Sequence, residues 1–216
     1  MLMEKERNLL VEYGKKLVED HLTLGTGGNL SILDRDTGLM AISPSGIDYF
    51  ETKPEDIVIM DLDGNIIEGS NKPSSEYNLH IALYKKKKNA CAIAHTHSTF
   101  CITLSTLNMP IQAVNYILAS SGASSVPVAP YKTYGTQELA DAVVDTIGEC
   151  NACLMANHGL VACGNDIKSA YSLARQCEWI AETQWRAMCI GKPNVLSDEE
   201  MKKVLIKFGT YGQEKK

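Results

Sequence analysis

Hydrophobic and polar residues along the chain recur with two different periods, and each period predicts one kind of element. In 4–21, leucine, tyrosine and valine recur at helical spacing between charged residues, which predicts an amphipathic helix. Short apolar runs at 30–33 and 39–42 flank a polar turn and predict a pair of strands. Two further runs, at 57–61 and 66–68, flank an Asp-Gly turn and predict a hairpin.

The rest of the chain continues this mixture of helical and strand patterns. Five further helices are predicted. The first begins at a Ser74 or Ser75 cap and ends at the lysines 85–88, the second includes 100–104, and the third extends over 136–147 with Thr136 as its cap. The fourth extends from an Asp166 cap to about Cys189, and the fifth from a capping box at Ser197 to Phe208. The predicted strands of this part of the chain are 90–98, 126–129, 152–157 and 160–163. Because strands occur in hairpins as well as between helices, we expect one α/β domain over 1–216. Its three layers would be a mixed, mostly antiparallel central sheet with helices on both faces.

Composition and charge are those of an ordinary globular protein. The chain has 216 residues, of which 44% are hydrophobic and 22% charged, enough for one sizeable core. The net charge of -5 argues against a nucleic-acid partner, which requires a basic face. The charged N-terminus lacks the apolar core of a signal peptide, and no apolar run is long enough to span a bilayer. We therefore expect a cytoplasmic protein without a membrane partner.

The seven cysteines are odd in number and lie mostly inside apolar segments, which favours buried, reduced thiols. Cys150 and Cys153 have C-x-x-C spacing, but there is no second such pair, and the two straddle the boundary between a predicted helix and a strand. A redox or zinc-binding role for this pair is the alternative.

Two histidines stand at alternate positions in the predicted strand that follows the lysine run. Side chains two residues apart on a strand share a face, so His95 and His97 can reach one metal ion. Core histidines bonded to their neighbours are the alternative. His158, at a turn between two apolar strands, completes a three-histidine set typical of an open catalytic zinc site. His21 and His80 lie on predicted helices, where we expect a surface position for His21 and a packed or hydrogen-bonded one for His80.

A carboxylate, Glu76, stands just inside the predicted helix that follows Ser74 and Ser75. One interpretation is structural, with the carboxylate complementing the positive end of the helix dipole. The other is catalytic, because a carboxylate near a metal ion can be a ligand in the resting site and a base once substrate displaces it. The sequence leaves both interpretations open.

Three short segments combine backbone N–H groups with hydroxyls and small residues, namely Gly27-Gly28-Asn29, Ser45-Gly46 and Ser74-Ser75. Neutral donors of this kind, one set at a helix start, suit a phosphate monoester. No arginine or lysine cluster adjoins these segments in the sequence. For the glycine loop, a tight connection without a ligand is the alternative.

Five motifs occur in the same order as in the class II sugar-phosphate aldolases, and they extend over nearly the whole chain. They are GGNLS at 27–31, SPSG at 43–46, PSSE at 73–76, HTHS at 95–98 and NHG at 157–159. The sequence therefore resembles the superfamily of class II aldolases and ribulose-phosphate epimerases. The segments 129–136 and 207–212 make it most similar, within that superfamily, to the L-fuculose-1-phosphate aldolases.

The resemblance implies a role for each candidate residue. One Zn²⁺ per subunit would be bound by His95, His97, His158 and Glu76. The phosphate of a small sugar substrate would be bound by Gly28, Asn29, Ser45, Gly46, Ser74 and Ser75. Glu76 would also be the catalytic acid/base.

Two tyrosines would act on the aldehyde side of the substrate. Tyr116, supplied by a neighbouring subunit of a homotetramer, would protonate the aldehyde oxygen, and Tyr211, on a mobile C-terminal tail at about 207–216, would shape the pocket. Asn115 stands before Tyr116 where the resemblance leads us to expect a histidine. The chain thus departs from the family pattern at the aldehyde pocket and not at the metal.

The implied activity is the reversible cleavage of a ketose 1-phosphate, with L-fuculose 1-phosphate giving dihydroxyacetone phosphate and L-lactaldehyde through a metal-stabilised enediolate. The alternatives in the same superfamily are a 5-deoxypentulose-1-phosphate aldolase, a ribulose-5-phosphate 4-epimerase and a methylthioribulose-1-phosphate dehydratase. The epimerases carry an aspartate where Glu76 stands, so Glu76 favours an aldolase. A non-catalytic binding module is a further alternative, and the presence of all three histidines and Glu76 argues against it.

Overall fold

A central sheet organises the chain, and most of its strands come from the hairpins that the sequence predicts. The computed structural model describes residues 1–208. Its helices are α1 Glu4–Glu19, α2 Tyr77–Lys86, α3 Thr99–Thr106, α4 Gln137–Ile147, α5 Ile167–Ile190 and α6 Asp198–Phe208. Its strands are β1 Asn29–Asp34, β2 Leu39–Ile42, β3 Val58–Asp61, β4 Ile66–Glu68, β5 Ala92–Thr96, β6 Ile111–Gln112, β7 Ser125–Val126, β8 Val128–Ala129, β9 Ala152–Met155 and β10 Gly159–Gly164.

Eight strands form one sheet in the order β4-β3-β2-β1-β5-β10-β9-β8, and β6 pairs with β7 separately. Every neighbouring pair in the large sheet is antiparallel except β8 with β9, which is parallel. The predicted mixed, mostly antiparallel sheet in a single α/β domain is therefore confirmed. Within residues 1–208, no helix combines the length and the apolar character that crossing a membrane requires.

The two faces of the sheet carry separate hydrophobic cores, because side chains alternate along each strand. On β5, Ala92 and Ala94 pack in a core shared with α1, α3 and α5, whereas Ile93 packs in a core shared with α2 and α4. His95 follows the same alternation and lies on the side of Ile93. The central strand thus delivers this imidazole to the face that α2 covers.

Helix caps that can be read from local sequence are placed as predicted. The Thr136 hydroxyl accepts the Leu139 N–H at 3.3 Å, and the Asp166 carboxylate accepts the Ser169 N–H at 2.6 Å. The helix predicted behind a Ser74 or Ser75 cap begins later, because Glu76 occupies the cap position and makes no side-chain capping bond.

A contact between distant loops explains the late start of α2. The Ser74 N–H donates to the Ser43 carbonyl at 3.0 Å, and Pro44 and Pro73 form an isolated antiparallel bridge. These bonds hold the segment before Glu76 in an extended course beside the loop after β2. A pairing between positions this far apart in the chain has no local sequence signal.

The predicted strand at 126–129 is wrong as a single element. Val126 ends β7 in the small sheet, and Val128 begins β8 in the large one. Pro127 stands between them and has no N–H to continue a strand ladder. Its carbonyl accepts the Leu154 N–H at 2.8 Å, which carries the chain onto β9.

All seven cysteines are free thiols. Burial raises the pKa of Cys150 and raises the pKa of Cys153 to about 12. A thiol with a raised pKa is a poor nucleophile, which disfavours the redox alternative for this pair. Of the predicted mobile tail, Lys207 and Phe208 belong to α6 and the rest, including Tyr211, lies outside the described residues.

Candidate active site

Three imidazoles converge at the end of the central strand. His95 is the penultimate residue of β5, His97 follows the last residue, and His158 lies in the turn between β9 and β10. The ligand atoms of these histidines and of Glu76 all lie within 4.8 Å of one another. The fold thus brings together the four residues that the sequence proposed as metal ligands.

The tautomer of His95 is set by the neighbouring strand. Its Nδ1 lies 2.9 Å from the Leu160 carbonyl on β10, and because a carbonyl only accepts, Nδ1 carries the proton. The Nε2 lone pair of a neutral His95 therefore points to the centre, where the His97 Nε2 stands 2.9 Å away. Two ring nitrogens this close require a proton or a cation beside them.

Glu76 supplies the anionic oxygens of the centre. Its Oε2 lies 3.0 Å from His95 Nε2, and its Oε1 lies 3.5 Å from His158 Nε2. The residue is 5% exposed, and Oε1 makes no hydrogen bond within residues 1–208. Three imidazole nitrogens and one buried carboxylate with an unbonded oxygen fit a divalent cation.

The charge states of these groups agree with metal binding. Burial would raise the pKa of Glu76, but His95, His158 and a hydrogen bond from Asn29 hold it well below its usual range, so Glu76 is an anion. Burial, with His95 nearby, lowers the pKa of His97 to about 3 and that of His158 to about 4, which leaves both neutral.

His95 differs from the other two histidines. Burial would lower its pKa, but Glu76 and the Leu160 carbonyl together raise it by more, so the net shift in the pKa of His95 is upward. A metal ion at the centre would replace the proton that Glu76 favours on His95, as metal binding does at a histidine ligand.

Two glycines permit the close approaches that build the centre. Gly28 has a φ of +68°, and a Cβ there would lie 2.7 Å from the His95 carbonyl oxygen. A Cβ on Gly159 would overlap the Thr96 carbonyl oxygen at the end of β5. Each glycine therefore lets a neighbouring segment lie directly against the strand that carries His95.

A cavity of roughly 370 Å³ opens above the metal centre. Its walls include His97, His158 and Glu76. They also include every residue assigned to phosphate binding from the sequence, which are Gly28, Asn29, Ser45, Gly46, Ser74 and Ser75. The three segments that are distant in the chain thus share one cavity, next to the metal centre.

The loop contacts decide which donors face the cavity. The Ser45 N–H donates to the Lys72 carbonyl, and the Ser74 N–H donates to the Ser43 carbonyl, each at 3.0 Å. These two N–H groups are therefore used within the protein. The hydroxyl of the exposed Ser75 and that of the exposed Ser45 remain as donors on this wall.

The side chain of Asn29 also makes hydrogen bonds within the protein, which the sequence motif did not predict. Its Nδ2 donates to Glu76 Oε2 at 3.0 Å, and its Oδ1 lies 2.5 Å from His80 Nε2. The amide is therefore hydrogen-bonded to the candidate base, as well as lying on the cavity wall.

Sequence reasoning did not assign one further part of the cavity wall. It is formed by Tyr131, Lys132 and Tyr134, all exposed. Lys132 places one cation beside the cavity. The only signal for this wall was the similarity of 129–136 to the aldolases.

Tyr49 supports the glycine loop from beneath and was also not identified from the sequence. Its hydroxyl donates to the Gly28 carbonyl at 2.8 Å and lies 3.2 Å from that of Gly27. Burial raises the pKa of Tyr49 above its ordinary value, so the phenol is protonated and is a donor.

Tyr116 does not line the cavity of its own chain. It begins a short 3₁₀ helix, is 52% exposed, and its ring centroid lies 6.3 Å from that of Phe208. Tyr211, the other tyrosine of the predicted aldehyde pocket, lies outside the described residues.

Comparison with known proteins decides the family. The model of the family described as "Class II Aldolase and Adducin N-terminal domain" matches residues 8–185. The chain belongs to this family. It is a class II aldolase, a lyase, and its three histidines and glutamate are the divalent-metal site typical of these enzymes.

The relatives of this aldolase do not all carry the same substrate name. The chain is 47% identical over 214 residues to the 5-deoxy-D-ribulose 1-phosphate aldolase of Bacillus thuringiensis serovar kurstaki, covering 99% of this chain and 100% of that protein. It is 41% identical over 192 residues to the L-fuculose phosphate aldolase of Escherichia coli O6:H1, covering 88% of each. A solved L-fuculose 1-phosphate aldolase matches with a TM-score of 0.94 and 43% identity, over 97% of this chain and 98% of that one.

Proposed function

We propose that this aldolase binds Zn²⁺ and reversibly cleaves 5-deoxyribulose 1-phosphate to dihydroxyacetone phosphate and acetaldehyde. The observation that carries the reaction type is the buried Glu76 beside three histidines on the wall of a cavity that the serine and glycine loops share. The substrate rests on the 47% identity to the 5-deoxy-D-ribulose 1-phosphate aldolase over the full chain. This favours an alternative from the sequence analysis over L-fuculose 1-phosphate.

L-fuculose 1-phosphate is the second candidate substrate, and it would yield L-lactaldehyde. The solved L-fuculose 1-phosphate aldolase at 43% identity supports it. The two ketose phosphates share the phosphate, the ketone and the hydroxyls on the third and fourth carbons, and differ in the aldehyde that leaves. The metal and phosphate residues are therefore expected to serve both, and discrimination falls to the aldehyde side.

Glu76 has the position of a proton carrier. In cleavage, the proton of the C4 hydroxyl passes by way of Tyr116 to the Glu76 carboxylate as the bond between the third and fourth carbons breaks. The electron pair of that bond forms an enediolate on the dihydroxyacetone phosphate half. The Glu76 carboxyl then gives one proton to the third carbon, and in condensation the carboxylate takes it away. When bound, Zn²⁺ supplies Lewis-acid stabilisation of the negative charge on the enediolate.

The phosphate end of the substrate is proposed to lie against the loops. The hydroxyls of Ser45 and Ser75, with Gly28, Asn29, Gly46 and Ser74, would hold the phosphate through neutral donors. Lys132, also on the cavity wall, adds one positive charge. Fixing the phosphate holds the reacting carbons still, which converts remote binding energy into rate.

The substrate assignment is tested by comparing cleavage of the two ketose phosphates by zinc-loaded enzyme, and condensation of dihydroxyacetone phosphate with acetaldehyde, L-lactaldehyde and glycolaldehyde. We expect 5-deoxyribulose 1-phosphate to have the higher kcat/KM, by about tenfold or more, which is the scale of discrimination that one small substituent in a pocket gives. Metal-stripped enzyme is the control and should be inactive. A higher kcat/KM for L-fuculose 1-phosphate would assign the enzyme to the second candidate.

We further propose that Tyr116 acts across a subunit interface of a homotetramer and that Tyr211, on the tail, completes the aldehyde pocket. Tyr116 is exposed and stands outside its own cavity, which supports a role in a neighbouring site. If so, a site draws Glu76 from one subunit and Tyr116 from another.

Subunit complementation tests this proposal. Tyr116→Phe and Glu76→Gln subunits should each be impaired alone, and a refolded mixture should regain activity because some interfaces pair an intact Glu76 with an intact Tyr116. Each variant refolded alone is the control. A mixture no more active than the sum of its parts would contradict the trans role, as would an active monomer on dilution.

A further inference from the structure

A chain of buried hydrogen bonds leads away from Glu76 into the core. Asn29 Nδ2 donates to Glu76 Oε2 at 3.0 Å, and His80 Nε2 lies 2.5 Å from Asn29 Oδ1. Ser31 Oγ lies 2.6 Å from His80 Nδ1 and 2.7 Å from the Tyr84 hydroxyl. Every one of these side chains is at most 5% exposed.

The sequence spacing shows how α2 and β1 together form this series of hydrogen bonds. Glu76, His80 and Tyr84 are four residues apart, so they lie along one face of the first turns of α2. Asn29 and Ser31 are two residues apart on β1 and point to the same side of the sheet. Polar side chains of α2 and β1 therefore alternate in one series of hydrogen bonds, and the series ends at Glu76, the candidate base.

Only one direction of the hydrogen bonds satisfies all the groups. A carboxylate oxygen accepts hydrogen bonds, so Asn29 must present its NH₂ to Glu76 and its carbonyl to His80. His80 must then carry its proton on Nε2, and its Nδ1 accepts from Ser31. The Ser31 oxygen in turn accepts from Tyr84.

The reverse direction fails at the carboxylate. If Ser31 donated to Tyr84, the His80 proton would move to Nδ1, and Asn29 would have to turn its carbonyl toward Glu76, placing two acceptors together. A doubly protonated His80 is also disfavoured, because burial lowers the pKa of His80 to about 3. Tyr84 remains a donor, since burial raises its pKa well above the ordinary value.

We propose that His80 is a positioning residue, which locks the Asn29 amide and through it fixes the orientation of the Glu76 carboxylate. An asparagine amide that can flip offers the carboxylate either a donor or an acceptor, whereas one held by His80 offers only the donor. The catalytic part of this proposal rests on the proposed function. The effect on the metal centre does not, because Glu76 is oriented there whatever the substrate.

Two substitutions at one position test the proposal. His80→Phe keeps an aromatic ring but removes the N–H, whereas His80→Gln carries an amide N–H at about the reach of imidazole Nε2. For His80→Phe we expect zinc affinity, measured by competition with a chelator, and kcat each to fall about 10- to 100-fold, with little change in KM. For His80→Gln we expect zinc affinity and kcat each to stay within about threefold of the wild-type values, because the amide N–H replaces the lost donor.

A pair of tyrosine variants provides the matched control. Tyr84→Phe removes the hydroxyl that bonds Ser31. It should lower zinc affinity and kcat, but by less than His80→Phe does. Tyr171→Phe removes a hydroxyl that bonds the Lys16 carbonyl at 2.9 Å on the other face of the sheet, and should leave zinc affinity and kcat unchanged. Melting temperatures of all four variants show whether a loss follows stability instead.

The outcomes separate the two proposals. If the wild type cleaves neither ketose phosphate but zinc affinity still falls in His80→Phe and recovers in His80→Gln, the proposed substrate fails and the positioning role stands. If zinc affinity and kcat in His80→Phe equal those of the wild type, the positioning role is overturned. It is also overturned if both His80 variants lose zinc affinity equally and in proportion to their melting temperatures.

Discussion

Replacing Glu76 with glutamine is expected to lower kcat for ketose phosphate cleavage by about 10²- to 10⁴-fold, the usual contribution of a general acid–base group. Glutamine keeps the shape of the side chain and an oxygen that can accept from Asn29, but it can neither give nor take the proton on the third carbon. The measurement is steady-state cleavage alongside the zinc content of each preparation.

Glu182→Gln is the control for this substitution, because Glu182 lies in a surface pair with Arg186 on α5, remote from the cavity. It should retain wild-type kcat. Near-normal turnover by Glu76→Gln with zinc still bound would remove Glu76 from the proton transfer.

Replacing Arg7 with methionine is expected to destabilise the fold by about 3 kcal/mol, because several carbonyl groups lose their donor and each buried group left unbonded costs roughly 1–3 kcal/mol. Arg7 is 1% exposed, and its guanidinium donates to Leu2 O at 2.8 Å and to Pro54 O at 3.0 Å. It also donates to the Ile57 carbonyl and pairs with Glu68 at 2.7 Å. Methionine fills the space but leaves these acceptors without a donor.

A loss of this size in a chain of this length corresponds to a fall in melting temperature of roughly 6–12 °C. Arg186→Met is the matched control, since the Arg186 side chain is 69% exposed and its partner Glu182 is only half-buried, and ion pairs at the surface contribute about 0–1 kcal/mol. Thermal unfolding of the two variants side by side makes the comparison. Equal melting temperatures would show that the Arg7 anchor does not stabilise the N-terminal helix against the sheet.

Elements with local signals could be predicted from the sequence. The hairpins around β1–β2 and β3–β4 follow from apolar runs beside turn residues, and α4 and α5 follow from Thr136 and Asp166 at their caps. The metal-ligand candidates were found in the same way, since alternation on a strand places His95 and His97 on one face.

Features that depend on contacts between distant segments could not be predicted in this way. The start of α2 is set by Ser74 bonding to Ser43, a pairing that only the assembled loops create. The cavity wall with Lys132 and the bond from Asn29 to Glu76 arise from how segments pack, and neither leaves a periodic pattern. The identity of the substrate is harder still to predict from the sequence. It depends on the aldehyde side of the site, where Asn115 departs from the family pattern.

The pairing of β10 with β5 also determines when this enzyme can acquire its metal. His158 is the last of the four grouped residues in the chain, and the carbonyl that sets the tautomer of His95 belongs to Leu160, on the strand that follows. A growing chain released only as far as His97, just past β5, already contains Glu76, His95 and His97, but it lacks both His158 and Leu160. Since contacts between distant residues form late in folding, zinc uptake is expected to follow sheet assembly and not to nucleate it.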